Sequence, residues 1–233
     1  TGSGGVGSIC GRRYPILDGH WGSPAGTLQR MKADPFKKLS IFFPMWNEEA
    51  YIHRAVAHAK EECEILVADG AILDYEIIVV DDASTDSTPQ LADELAANDP
   101  HVKAVHHPVN RKLGGSMKTG YATASGDLIL YSDADLPFDM ANAAQAIRLL
   151  NLYEADIVSA YRLDRTGEGS SRAIYTFFYN LLIRRLFGVR MRDINFAFKV
   201  CRARIFEHVT LKSEGSFIDA ELIIRSRKLG YEV

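Results

Sequence analysis

Cysteine is scarce: Cys10, Cys63 and Cys201 are the only three. Odd in number and widely spaced, they make neither a disulfide framework nor a zinc-ligand set, and they fit a reducing compartment. Charge of one sign is lacking too, since 27 Lys and Arg against 30 Asp and Glu leave a formal net charge of -3. Without a basic field, nucleic acid is disfavoured as a partner. No apolar run approaches the ~18 residues that a bilayer span requires. The glycines at 2–7 follow no strand and precede no Gly-Lys-Ser/Thr, so they do not form a phosphate-binding loop. No His beside a carboxylate presents itself as a general base, and there is no internal repeat.

What is present is an ordinary globular composition, 47% apolar and 24% charged over 233 residues. That is enough for one sizeable domain with a full core. Residues 1–38 stand apart, rich in Gly, Ser and Pro with no sustained apolar period, and read as a flexible leader. The chain starts on Thr and stops at Val233 on what reads as the opening of a strand. Both ends are therefore expected to be cut points, with one domain over 39–233 that is truncated at its C-terminal end.

From Leu39 onward strands and helices alternate. Leu39–Pro44 predicts a strand closed by proline, and Asn47 a helix cap with Glu48 and Glu49 in the first turn. Further strands are expected at Glu76–Asp82, His101–His106, Asp127–Ser132 and Asp156–Ala160, with helices over 88–98, 113–124, 138–152 and 217–229. This alternation predicts an α/β fold, three layers around a mostly parallel sheet. Three of these strands, the first, second and fourth, then lead into acids: Glu48, Asp81-Asp82, and Asp133 with Asp135. In a parallel sheet those ends share one edge, where ligands bind. Each acid alone also reads as a turn former or helix-start charge. Together they repel one another, and a bound Mg²⁺ or Mn²⁺ is the usual relief for such oxygen-rich ground. Adjacent His106 and His107 alternate across their strand and so face opposite ways, which speaks against a shared metal.

Phe43-Pro44-Met45-Trp46-Asn47-Glu48-Glu49, Val79-Val80-Asp81-Asp82-Ala83-Ser84-Thr85-Asp86 and Asp133-Ala134-Asp135-Leu136 resemble successive motifs of family 2 glycosyltransferases with the Rossmann-like GT-A fold. The nearest subgroup is the dolichol-phosphate mannose synthase-like enzymes. Asn110-Arg-Lys-Leu-Gly114-Gly115 is similar to a further family loop, with Lys112 where Gly is usual. Asp193-Ile-Asn-Phe-Ala-Phe-Lys199 resembles another stretch, with Ala197 for Gly and Lys199 for Arg. The resemblance implies an inverting, metal-dependent enzyme moving a sugar from GDP- or UDP-hexose to a polyprenyl phosphate at the cytoplasmic membrane face. It also implies that Pro44, Trp46, Glu48, Val80 and Asp82 border the nucleoside. Asp133, Ala134 and Asp135 would line the diphosphate, with Asp133 and Asp135 holding Mg²⁺ or Mn²⁺. Arg162 and Arg172 would bind phosphates of donor or acceptor.

The apolar, aromatic stretch 173–183 with Arg184, Arg185, Arg190 and Arg192 behind it reads as a membrane-surface helix or as a core helix with a solvated basic end. An acceptor that is already a phosphate needs no strong base, whereas a hydroxyl acceptor needs one. Asp164, Glu168, Asp219 and Glu221 keep the hydroxyl alternative, a polysaccharide, lipid or protein acceptor, open. A catalytically silent membrane-docked scaffold is the third alternative.

Overall fold

The computed structural model describes residues 8–9, 12–13, 34–136, 138–161, 183, 185, 187–188 and 194–233. The chain divides into two units, Thr1–Lys32 and Ala33–Val233. In the first, Ser8–Ile9 and Arg12–Arg13 pair as a short antiparallel ribbon. The second carries a six-stranded sheet of β1 (Phe36–Met45), β2 (Ile72–Asp81), β3 (Val102–His106), β4 (Leu128–Ser132), β5 (Ile157–Ser159) and β6 (Phe198–Arg202). Their order is β3-β2-β1-β4-β6-β5. The first four strands are parallel throughout, and β6 runs antiparallel to both of its neighbours. The α/β fold with a mostly parallel sheet is thus present.

The apolar runs alternate between two cores, as period-2 side chains must. Leu39, Ile41 and Phe43 of β1, Ile77 and Val79 of β2, and Leu128 and Leu130 of β4 enter one core. Phe42, Ile78, Val80, Ile129 and Tyr131 enter the other. Helices α1 (Ile52–Ala68), α2 (Thr88–Asn98) and α4 (Asn142–Leu152) cover the first face, and α3 (Lys112–Thr123) and α5 (Ile218–Lys228) the second. Both faces being buried explains why these strands read as continuous apolar runs.

Four expectations are corrected. β1 begins at Phe36, which is buried and paired with Ile72, so the strand takes in Phe36–Lys38 from the segment read as leader, and it runs through Pro44 to Met45. The first helix starts at Ile52, not beside Asn47, because Asn47 adopts φ 57° and Tyr51 and Ile52 donate their N–H groups to the Glu48 carbonyl in a turn. The fourth helix starts at Asn142, because Phe138 packs edge-on against Phe196 and Phe198 and Asp139 caps a local turn. The antiparallel strand β6, unforeseen in the sequence, separates β5 from β4. At the far end Gly230, at φ 87°, ends α5 as expected.

Candidate functional site

β2, β1 and β4 are adjacent and parallel, so their carboxyl ends emerge on one edge. Met45 lies opposite Asp81 and Phe42 opposite Tyr131, which sends Asp133 out of β4 beside the end of β1. The acids meet there. Burial pushes the Glu48 carboxyl up, and Asp135, Asp133 and Asp86 push it further. Asp133 rises to about 6: burial is the main cause, Asp135 and Asp219 add to it, and the Tyr131 hydroxyl and Lys199 oppose it. Tyr131 donates its hydroxyl to Asp133 Oδ1 at 2.9 Å. The site therefore gathers more negative charge than its own surroundings compensate.

The loops around it are stitched to one another. Asn47 donates its N–H to Ser84 Oγ at 3.0 Å and accepts the Thr85 N–H on Oδ1 at 2.8 Å. Glu48 N–H reaches Thr88 Oγ1, Glu49 N–H reaches Asp86, and the Glu49 carboxylate accepts the Ser87 N–H. The loop after β1 is thereby locked onto the loop after β2. Arg54, on the first turn of α1, donates Nη2 to the Asp135 carbonyl at 2.8 Å and lies over the Tyr51 ring. Trp46 is 57% exposed at this edge, an aromatic face free to take a flat partner. Pro44 is half-buried beside it. The side chains of Val80 and Ala134 are buried in the cores, so what these two positions present at the edge is backbone.

Asp82 is buried, and its Oδ1 takes two internal donors, His107 Nδ1 at 2.6 Å and the Arg111 N–H at 2.7 Å. His107 Nε2 meets Thr119 Oγ1 at 2.8 Å. His106 turns the other way, to Asp81 at 3.0 Å and to Asp93 on α2 at 3.1 Å, and these carboxylates raise its pKa. Alternation did separate the two imidazoles, but each lies beside a carboxylate, which the sequence had not suggested. The β2–β3 register brings them together: His106 pairs with Asp81, so the next residue falls beside Asp82. Lys112 sits at φ 60°, the left-handed backbone that explains why Gly is usual at this point of the loop.

On the acceptor side, Arg162, Arg172, Asp164, Glu168 and Asp193 lie outside the described residues, as does the apolar stretch over 173–182. Two candidate bases are described. Glu221 accepts the N–H groups of Lys212 and Ser213 and is bound by Arg225 Nε at 2.6 Å. Burial opposes its ionisation, but these donors outweigh it and hold the carboxyl at about 2. Asp219 is buried and bound at 2.5 Å by the ammonium of Lys199, which is itself fully buried and also donates to the Phe196 carbonyl. Both acids are engaged in the fold.

Among the described residues no group of three or more His, Cys, Asp or Glu is arranged to hold a metal ion. Two carboxylates are nevertheless what a hard cation needs from the protein when substrate phosphates complete its shell. The uncompensated charge on Asp133, Asp135 and Glu48 gives such a cation something to neutralise, so the residues fit Mg²⁺ or Mn²⁺.

Residues 40–212 match the model of the family described as glycosyl transferase family 2. Glycosyltransferase AglD of Haloferax volcanii is 28% identical over 201 residues, covering 84% of this chain and 32% of that protein. The undecaprenyl-phosphate 4-deoxy-4-formamido-L-arabinose transferase of Yersinia pestis is 32% identical over 179 residues, covering 75% of this chain and 51% of that one. The chain thus spans a third to a half of these relatives. Among solved structures, glucosyl-3-phosphoglycerate synthase of Mycobacterium tuberculosis, in complex with Mn²⁺, UDP-glucose and phosphoglyceric acid, superposes with a TM-score of 0.63 at 20% identity, covering 90% of this chain and 72% of that one. A mannosyltransferase of Pyrobaculum calidifontis in complex with GDP-Man and Mn²⁺ gives 0.55 at 19% identity, covering 83% and 53%.

Proposed function

Since the chain belongs to glycosyl transferase family 2, we propose that it is the catalytic domain of an inverting, metal-dependent glycosyltransferase whose donor is a nucleotide-sugar and whose acceptor is a polyprenyl phosphate at the cytoplasmic membrane face. The crowding of Glu48, Asp133 and Asp135 at the carboxyl edge of β1 and β4 carries this reading. Acids held at a cost in free energy on an edge that binds ligands make a site for a cation and a diphosphate. The relatives named for AglD and for undecaprenyl-phosphate transfer support the class, and the solved neighbours with UDP-glucose or GDP-Man and Mn²⁺ support the donor.

In this reading Trp46 gives the nucleoside an apolar face, Glu48 accepts from the ribose hydroxyls, and Asp82 accepts from the base. Asp133 and Asp135 hold Mg²⁺ or Mn²⁺ on the donor diphosphate. The bound cation supplies Lewis-acid relief of the charge that gathers on the leaving nucleoside diphosphate. Arg54 fixes the Asp135 carbonyl, so the loop that carries the carboxylates stays in place as that charge develops. An oxygen of the acceptor phosphate, already ionised, forms the new bond to the anomeric carbon on the side opposite the bond that breaks, and the configuration inverts. Of the acids that could serve a hydroxyl acceptor as base, Asp219 and Glu221 are engaged in the fold, which supports a phosphate acceptor, and Asp164 and Glu168 lie outside the described residues. Arg162 and Arg172 are assigned to the phosphates. No helix among the described residues is long and apolar enough to cross a membrane.

A thermal-shift series of nucleoside diphosphates with and without Mn²⁺ tests the site. Stabilisation by UDP or GDP that depends on the cation is expected, and calorimetry should find it abolished in Asp135→Asn. Unchanged cation-dependent affinity in that variant would remove Asp135 from the assignment. Failure of the wild type to bind any of the nucleotides would favour a silent scaffold domain.

A further inference from the structure

Asp82 is the acid assigned to the base, yet it does not stand alone in its pocket. Among the described residues both donors to its carboxylate, His107 and the Arg111 N–H, fall on one oxygen, Oδ1, leaving Oδ2 as the oxygen that would face a base. Its backbone is held as firmly, with its N–H on the Met45 carbonyl at 2.8 Å and its carbonyl accepting Asn110 Nδ2 at 3.1 Å. The imidazole of His107 is buried with it.

A carboxylate only accepts, so the proton on His107 must sit on Nδ1. In the neutral ring Nε2 is then a lone pair, and the Thr119 hydroxyl, 2.8 Å away, donates to it. Arg111 Nη1, 3.5 Å from the same hydroxyl oxygen, is a donor only and so reinforces that direction. The chain Arg111, Thr119, His107, Asp82 therefore runs one way. The opposite tautomer would set a lone pair against the Asp82 carboxylate and turn it away.

We propose that His107, its Nδ1 proton directed to Asp82 and its far nitrogen steadied by Thr119, is a positioning residue that keeps Asp82 a fixed acceptor, so that the site selects nucleotides whose base carries a ring N–H. This rests on the nucleotide-sugar reading of the site. Uracil and guanine carry that proton. Cytosine and adenine present a lone pair at the corresponding ring nitrogen and would oppose the carboxylate. A site built around a buried acceptor rejects a ligand lacking the donor far more strongly than an apolar pocket rejects a change of size.

The test is calorimetry in Mn²⁺ on two matched pairs, UDP with CDP and GDP with ADP, plus inorganic pyrophosphate as a probe without a base. Wild type is expected to favour the N–H member of the pair it binds by roughly tenfold or more. His107→Leu should bring that ratio to within about threefold and leave pyrophosphate affinity unchanged, since only the orientation of Asp82 is lost. His107→Asn, which returns an N–H near the Nδ1 position, should restore most of the ratio. Thr119→Val keeps the shape of its side chain and should show the same loss in smaller measure. A cooperatively melting His107→Leu protein with the wild-type ratio overturns the proposal. If that variant fails to fold, an undiminished ratio in Thr119→Val does so instead. Should the wild type bind pyrophosphate but neither pair, the nucleotide-sugar reading itself falls, and this one with it.

Discussion

Asp133 shows what one carboxylate costs the fold. Its folded-state pKa of about 6 lies above the ordinary 3.8, with burial the leading cause. A group that binds its proton more tightly when folded contributes stability below pH about 3.8 that is lost as pH rises through about 6, here about 3 kcal/mol. Asn has no such charge and can still accept from the Tyr131 hydroxyl. In chelator, Asp133→Asn is therefore expected to be more stable than wild type to urea at about pH 8 by up to about 3 kcal/mol, with the gain fading near pH 4. A variant no more stable at the higher pH would show that Asp133 is not strained. The carboxylates themselves were legible in the sequence, because acids at strand exits can be counted along one sheet edge. His107 was not: its role depends on pairing between β2 and β3, and alternation says only that neighbouring histidines part. For Val80 and Ala134 the motif position did not say that the side chains point into the cores.

The elements that hold the site depend on close packing at a few points. α3 carries Thr119 and follows the Asn110–Lys112 turn, and it lies flat on β1 because Gly120 faces the Phe42 ring. A Cβ there would overlap Phe42 Cγ, Cδ2 and Cε2. Alanine is the better helix former by about 1 kcal/mol, but overpacking a buried aromatic ring costs about 1–3 kcal/mol. Gly120→Ala is thus expected to lower stability toward urea, and a neutral or raised midpoint would show that the ring yields freely. α2 and the end of α5 were readable from periodicity, capping and glycine. α1 was placed too early because Asn47, a good cap by type, spends its side chain across the crevice on Thr85. β6 escaped notice because Lys199 breaks its apolar pattern. A lysine is expected at the surface, and its burial is made tolerable by Asp219 on α5, twenty residues on, together with the Phe196 carbonyl.

Among the described residues the shifted acids move in the direction set by the donors each one finds: burial pushes up Glu62 on α1 as well, while Asp86 in the loop after β2 is pulled down because its hydrogen bonds outweigh burial. Glu48 and Asp133, on the carboxyl edge of the sheet, are pushed up. Glu76, Asp99 and Glu221, held by donors elsewhere, are each pulled down to about 2. Glu76 is the most connected of them. Burial opposes its ionisation, but Lys103, Ser40 and Ser125 outweigh it, so one side chain ties β1, β2, β3 and the turn leading to β4. A carboxyl pulled below its ordinary 4.5 contributes stability that is fully present above pH about 4.5 and lost as pH falls toward about 2, here about 3 kcal/mol. Lowering the pH from neutrality therefore first relieves the site acids and only later releases the structural ones. The fold is expected to be most stable at about pH 5, below the range in which Asp133 is ionised and ready for a cation. Glu76→Gln isolates the second phase. It should be less stable than wild type by up to about 3 kcal/mol at pH 7, and the gap in urea midpoints should narrow steadily between about pH 5 and pH 2, as the unfolded wild-type chain takes up a proton at this carboxyl before the folded one does. A gap that stays constant over that range would mean that Glu76 holds the sheet by shape and hydrogen bonding alone, with its charge contributing nothing.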